Sequence, residues 1–165
     1  MHWNGTTWTV TKTPVQGKGT NILYGVVAPA PNDAWAVGLS IPKAPPAESP
    51  TLTLIEHWNG SAWQIVSSPN IGPNSTFQSN RLFGVTALSP TDIWAAGSYF
   101  AANGSGNQST LVEHWDGTSW TISPATPNLG FSDTLDAAAA IDGTVWLVGI
   151  YFGGPAISST LVLSA

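Results

Sequence analysis

The chain has 165 residues, a net charge of −5 and no cysteine. Only four residues are Lys or Arg, which argues against nucleic acid and anionic membrane as partners, because both need clustered basic side chains. Disulfides, thiol catalysis and Cys-based zinc sites are excluded, and with 42% apolar residues the low charge content of 8% does not mean disorder.

The N-terminus, Met1-His2-Trp3, has neither a basic lead nor an apolar stretch, so no signal peptide is expected in this chain. No apolar run approaches the ~20 residues of a membrane-spanning helix. The first element is His2-Trp3-Asn4-Gly5-Thr6-Thr7-Trp8, and it recurs as His57-Trp58-Asn59-Gly60-Ser61-Ala62-Trp63 and as His114-Trp115-Asp116-Gly117-Thr118-Ser119-Trp120. Asn-Gly or Asp-Gly between apolar β-formers predicts a hairpin with a type I′ turn, in which both central residues take positive φ. The spacing is 55 residues from His2 to His57 and 57 from His57 to His114.

A second marker keeps the same count. Leu23 to Ala28 leads through Pro31-Asn32-Asp33 into Ala34-Trp35-Ala36-Val37-Gly38, and Leu82 to Ala87 leads through Ser89-Pro90-Thr91-Asp92 into Ile93-Trp94-Ala95-Ala96-Gly97. The third copy, Leu135 to Ala140 and then Val145-Trp146-Leu147-Val148-Gly149, is one residue shorter at its turn and carries Thr144 where the others carry Asp. Each repeat holds four strands: a (Leu82–Leu88), b (Ile93–Phe100), c (Thr110–Trp115) and d (Trp120–Ser123) in the middle copy. The chain opens on strand d, Trp8–Thr13, and its last strand, Thr160–Leu163, is a strand c. The order is d-abcd-abcd-abc, one unit spanning 1–165 with repeats near 2–56, 57–113 and 114–165 and one blade shared between the two termini.

Four strands per repeat at this period is the sequence form of a propeller blade. The D-x-W-A-x-G and H-W-N-G-x-x-W motifs resemble a β-propeller repeat of bacterial multi-repeat proteins, related to kelch and Asp-box propellers. The resemblance covers essentially the whole chain. It implies an all-β propeller of four-stranded antiparallel blades, three blades' worth per chain, in a surface or secreted parent protein. Repeat three departs at Asp136-Ala137 and at Thr144. Asp116 and Gly117 are adjacent, whereas one residue separates them in Asp-boxes, so sialidase-like chemistry does not carry over. A β-trefoil lectin is the competing fold.

Three blades leave two apolar sheet faces, and closing them on themselves would need about 120° between neighbours, far from ordinary sheet packing. A homodimer forming one six-bladed ring is therefore expected, with Trp8–Thr13 of one chain fastened to Thr160–Leu163 of the other.

His2, His57 and His114 sit at equivalent positions of different blades and cannot converge on a metal. They are expected to make structural hydrogen bonds beside Glu56 and Glu113. Trp35, Trp94 and Trp146 are expected to be buried between blades, and Asp33 and Asp92 to cap the a–b turns. No carboxyl pair is placed for glycoside hydrolysis, no phosphate-binding loop is present, and no metal or cofactor is expected. The long variable d–a and b–c connections share one face, where Lys18, Asn21, Arg81, Tyr99, Phe100, Asn103, Tyr151 and Phe152 are candidate ligand-binding residues. The resulting expectation is a non-catalytic binding or scaffold module, with self and carbohydrate as partners. The alternatives are a fragment or engineered propeller without ligand, and a glycosidase-like propeller.

Overall fold

The computed structural model describes residues 1–43, 50–72, 78–100, 107–124, 132–154 and 157–164. Among them run thirteen strands and no helix. A short hairpin, β1 (His2–Trp3) and β2 (Trp8–Thr9), comes first. Sheet I follows with β3 (Thr20–Ala30), β4 (Asp33–Ile41), β5 (Leu52–Trp58) and β6 (Trp63–Val66). Sheet II holds β7 (Ser79–Ser89), β8 (Asp92–Phe100), β9 (Gln108–Trp115) and β10 (Trp120–Ile122). Sheet III holds β11 (Ser132–Ile141), β12 (Thr144–Gly154) and β13 (Ile157–Ser164). Neighbouring strands within each sheet are antiparallel and follow sequence order, so the strand order expected from the repeats is found, grouped as two, four, four and three. Strand β2 ends at Thr9 rather than Thr13, because its partner β1 offers only His2 and Trp3 to pair with.

Directly paired residues share a sheet face, and each sheet has two distinct ones. The forward face meets the next sheet and the rear face meets the one before. Trp35, Val37 and Ile55 on the forward face of sheet I pack with Leu82, Ile93, Ala95, Leu111 and Trp120 on the rear face of sheet II. Ala96 and Val112 on the forward face of sheet II pack with Leu135, Val145, Leu147 and Leu161 on the rear face of sheet III. Both strand-a pairs, β3 with β7 and β7 with β11, lie side by side across these contacts. Gly25 and Gly84 permit it: a Cβ on Gly25 would lie 2.8 Å from the Phe83 carbonyl oxygen, and one on Gly84 would lie 2.7 Å from the Ala137 carbonyl carbon.

The turns differ from expectation in an instructive way. The Trp hairpins are not type I′, because only the glycine has positive φ: 95° at Gly5, 92° at Gly60 and 93° at Gly117. Four residues separate the paired tryptophans, Trp58 from Trp63 and Trp115 from Trp120. The Asn59 Oδ1 accepts from the Ser61 and Ala62 N–H groups at 3.0 Å. Asn4 does the same for Thr6 and Thr7, and Asp116 for Thr118 and Ser119. Those bonds, led by the one from the Thr118 hydroxyl, hold the Asp116 carboxyl down at about 2. The side-chain oxygen thus organises the loop, as Asx residues do when they satisfy backbone donors two and three positions on.

The two-residue I′ turn occurs elsewhere, at Asp142 (φ 49°) and Gly143 (φ 78°) between β11 and β12. The corresponding turns of sheets I and II are Pro31-Asn32 and Pro90-Thr91. They lack positive φ and are preceded by register shifts between Val27 and Ala30 and between Ala87 and Ser89. Pro at the first central position suits a type I turn. The twist of that turn does not match the strands, and a bulge absorbs the difference.

Candidate functional site

The register gathers the expected ligand residues at one end of the sheets. Strand a begins there and strand b ends there: Asn80 pairs with Tyr99, Arg81 with Ser98, and Ser132 with Phe152. The side chains, however, serve several purposes. Tyr99 and Tyr151 pack against the two buried clusters. Arg81 Nε donates to Ser79 Oγ at 3.0 Å. Asn21 takes up the Gln16 backbone, accepting its N–H at 3.1 Å and donating to its carbonyl at 3.4 Å. Phe100 is half-buried, whereas Lys18 and Phe152 are exposed. Asn103 lies outside the described residues.

Asn80, one repeat after Asn21, is fully buried and clasps Ile71 in the same two-pronged way, at 2.9 and 3.3 Å. Beside it the Thr51 N–H donates to the Gln78 carbonyl at 2.9 Å, and the Asn80 N–H donates to the Thr51 carbonyl at 2.8 Å. Side-chain amides and one parallel bridge therefore pin the corner between sheets I and II. The Asn21–Asn80 equivalence was visible in the repeat spacing, but an amide in a loop reads equally as a ligand contact.

At the opposite end a repeated constellation replaces the expected turn caps. Asp33 and Asp92 receive histidines: His57 Nε2 meets Asp33 Oδ1 at 2.7 Å, and His114 Nε2 meets Asp92 Oδ1 at 2.9 Å. Each imidazole stacks on the strand-b tryptophan, His57 on Trp35 at 4.2 Å and His114 on Trp94 at 4.3 Å. Asp92 also accepts from Trp94 Nε1 at 2.8 Å. The expected structural hydrogen bonds of His57 and His114 are thus found, with strand-b aspartates and not the adjacent glutamates as partners. Adjacent strand residues point to opposite faces, so Glu56 and His57 cannot share one. In sheet III the same places hold Thr144 and Ser164 around Trp146, so both polar partners are replaced together.

Glu56 and Glu113 are buried, at 1% and 0% exposure. Neither oxygen of Glu113 has a hydrogen-bond partner. Burial pushes the Glu113 carboxyl up to about 8 and that of Glu56 to about 7. Sheet III places Leu163 there. Among the described residues no three His, Asp or Glu side chains cluster as a metal site.

The tryptophans of strand b do not share one environment. Trp35 is 2% exposed, packed on Trp115 at 4.9 Å and Trp120 at 5.5 Å from the rear of sheet II. Trp94 is half-buried, because sheet III has no such hairpin to offer. Trp146 is 43% exposed. Equivalent positions have unequal burial because, among the described residues, no sheet packs on the forward face of sheet III.

Two apolar faces are therefore open. The forward face of sheet III presents Trp146, Val148, Ile150, Phe152 and Val162, all at least 39% exposed. The rear face of sheet I presents Leu23, Tyr24, Val26 and Ile65, at least 37% exposed. Such contiguous patches on a folded chain mark interaction surfaces. A cleft of about 730 Å³ lies over the rear face of sheet I, between it and Met1, His2, Thr11 and Thr13 of the N-terminal stretch. No protein-family model and no curated protein matches this chain.

Proposed function

We propose that the chain is a non-catalytic β-propeller module that self-associates into a closed ring of six blades, two chains per ring, and serves as a binding scaffold. One observation carries this reading. Forward face on rear face is the contact that joins sheet I to sheet II and sheet II to sheet III, and one unused face of each kind remains at the two ends of the stack. A head-to-tail contact between two different patches closes into a ring when its rotation divides a full turn. Three sheets per chain, sweeping half a turn, satisfy that with two copies.

Light scattering at low micromolar concentration tests the reading. The expected mass is twice 17.2 kDa. A 17.2 kDa species with a cooperative melt overturns it. The loop-bearing end of the sheets, with Lys18 and the half-buried Phe100, is the surface the ring leaves for a ligand. Carbohydrate suits a partly exposed aromatic ring beside polar loops. A glycan array supports that ligand class if binding is lost in Phe100→Ala, and silence across the array removes it.

A further inference from the structure

Resting on the ring reading, we propose that the forward face of sheet III of one copy packs on the rear face of sheet I of a second copy, beside its N-terminal stretch, with Trp146 held against the second copy's Trp58–Trp63 hairpin. The internal contact supplies the template. Trp115 and Trp120 stand 6.0 Å apart at 43° on the rear face of sheet II, and Trp35 of the preceding sheet packs on both. Trp58 and Trp63 stand 6.0 Å apart at 48° on the rear face of sheet I, the same pair in the same register, with no tryptophan packed on them among the described residues. Trp146 is the strand-b tryptophan whose forward face has no following sheet. The chain thus holds one complete tryptophan contact and, in Trp146 and the Trp58–Trp63 pair, two halves of another that do not touch within one copy.

The cleft marks one edge of the open rear face of sheet I, where a sheet lacking its outermost strand could pack. Its far wall is the N-terminal stretch, contributing His2, Thr11 and Thr13. In the hairpin register His2 corresponds to His57, and Thr9 to Gln64 across from it. Thr11 and Thr13 lie beyond the end of β2 and line the cleft with His2. The N-terminal stretch therefore lies where a preceding sheet would keep its strand d, with its forward side turned toward sheet I. The sheet missing in between would need strands a, b and c, and β11–β13 is a three-stranded sheet of that order. The seated surface carries no charged side chain at Trp146, Val148, Ile150, Phe152 or Val162, as an apolar slot requires.

Charge blocks test the inference. Val148→Arg spoils the forward face of sheet III and Val26→Arg the rear face of sheet I; both positions are exposed in the single chain, so each variant should fold, checked by far-UV circular dichroism. Each variant alone should run at 17.2 kDa, and an equimolar mixture should regain the doubled mass, because one intact forward face then meets one intact rear face. Trp146→Ala should weaken the dimer by about thirtyfold or more, as loss of a central aromatic anchor does. A doubled mass for both charge variants, or no recovery on mixing when the parent chain is dimeric, overturns this docking while leaving self-association standing. A monomeric parent chain sinks the ring reading itself.

Discussion

Replacing Glu113 by leucine should stabilise the protein, and increasingly so as pH rises. The carboxyl is fully buried between sheets I and II, faces Ala95 and Ile122 across its neighbouring strands, and has no hydrogen-bond partner on either oxygen. Its proton is held to about 8 in the fold, against an ordinary value of 4.5. A raised carboxyl binds a proton in the native state that the unfolded chain has released. Stability is therefore fully present below pH 4.5 and is lost as pH climbs through the folded value near 8. At 1.36 kcal/mol per unit, the loss reaches about 3 kcal/mol at pH 7 and about 4 kcal/mol at pH 8. That is a large fraction of the 5–15 kcal/mol typical of a domain. Urea unfolding of the parent and of Glu113→Leu at pH 5, 7 and 8.5 measures it. The gap in favour of leucine should be smallest at pH 5 and widen by several kcal/mol by pH 8.5, with Glu113→Gln showing the same flattening. Glu56 adds a slope of the same sign to both proteins, so the difference isolates Glu113. Parallel curves from pH 5 to 8.5 would refute the burial argument.

Two further outcomes follow from the repeats. Gly60→Val and Gly117→Val should each cost about 1 kcal/mol or more, from strain at positive φ and from a Cβ set 3.0 Å from Asn32 Cβ or Thr91 Cβ, whereas Gly5→Val, strained at φ 95° but with open space around it, should cost less than either. Asp92→Thr alone should cost about 1 kcal/mol by stranding His114 and Trp94 Nε1, and the double change Asp92→Thr with His114→Ser, which copies sheet III, should recover part of that loss; a double-mutant cycle with no coupling would show that the pair is incidental.

Much of the strand order was legible because it needs only local signals. Trp-Asn-Gly, Pro-Asn-Asp and Ser-Pro-Thr-Asp mark where strands stop, and a repeating count tells which strand is which. What failed was whatever depends on neighbours. Trp35, Trp94 and Trp146 look alike in sequence and differ in exposure, because burial belongs to the sheet that follows and not to the residue. Asp92 reads as a turn cap since the turn is adjacent. Its partner His114 arrives 22 residues later through strand pairing, and no local rule announces it. Asn21 reads as a ligand contact for the same reason: nothing in the sequence shows that Gln16 has taken its amide. Asn-Gly alone suggests the commonest hairpin turn, whereas the four-residue loop length, visible in the spacing of the tryptophans, points to an Asx-organised loop.

The a–b turn bears on how such a chain tolerates length change. In a β-strand, losing one residue normally turns every following side chain to the wrong face. Sheet III has lost one residue at that turn relative to sheets I and II, yet Trp146 still faces forward as Trp35 and Trp94 do. The deletion is absorbed because the bulge and the type I turn disappear together and an Asp-Gly turn replaces both. The bulge therefore acts as a length buffer, a place where the chain can gain or lose a single residue without scrambling inside and outside. Insertions elsewhere along strands a or b, with no bulge to cancel them, would exchange the buried and open faces of the whole sheet.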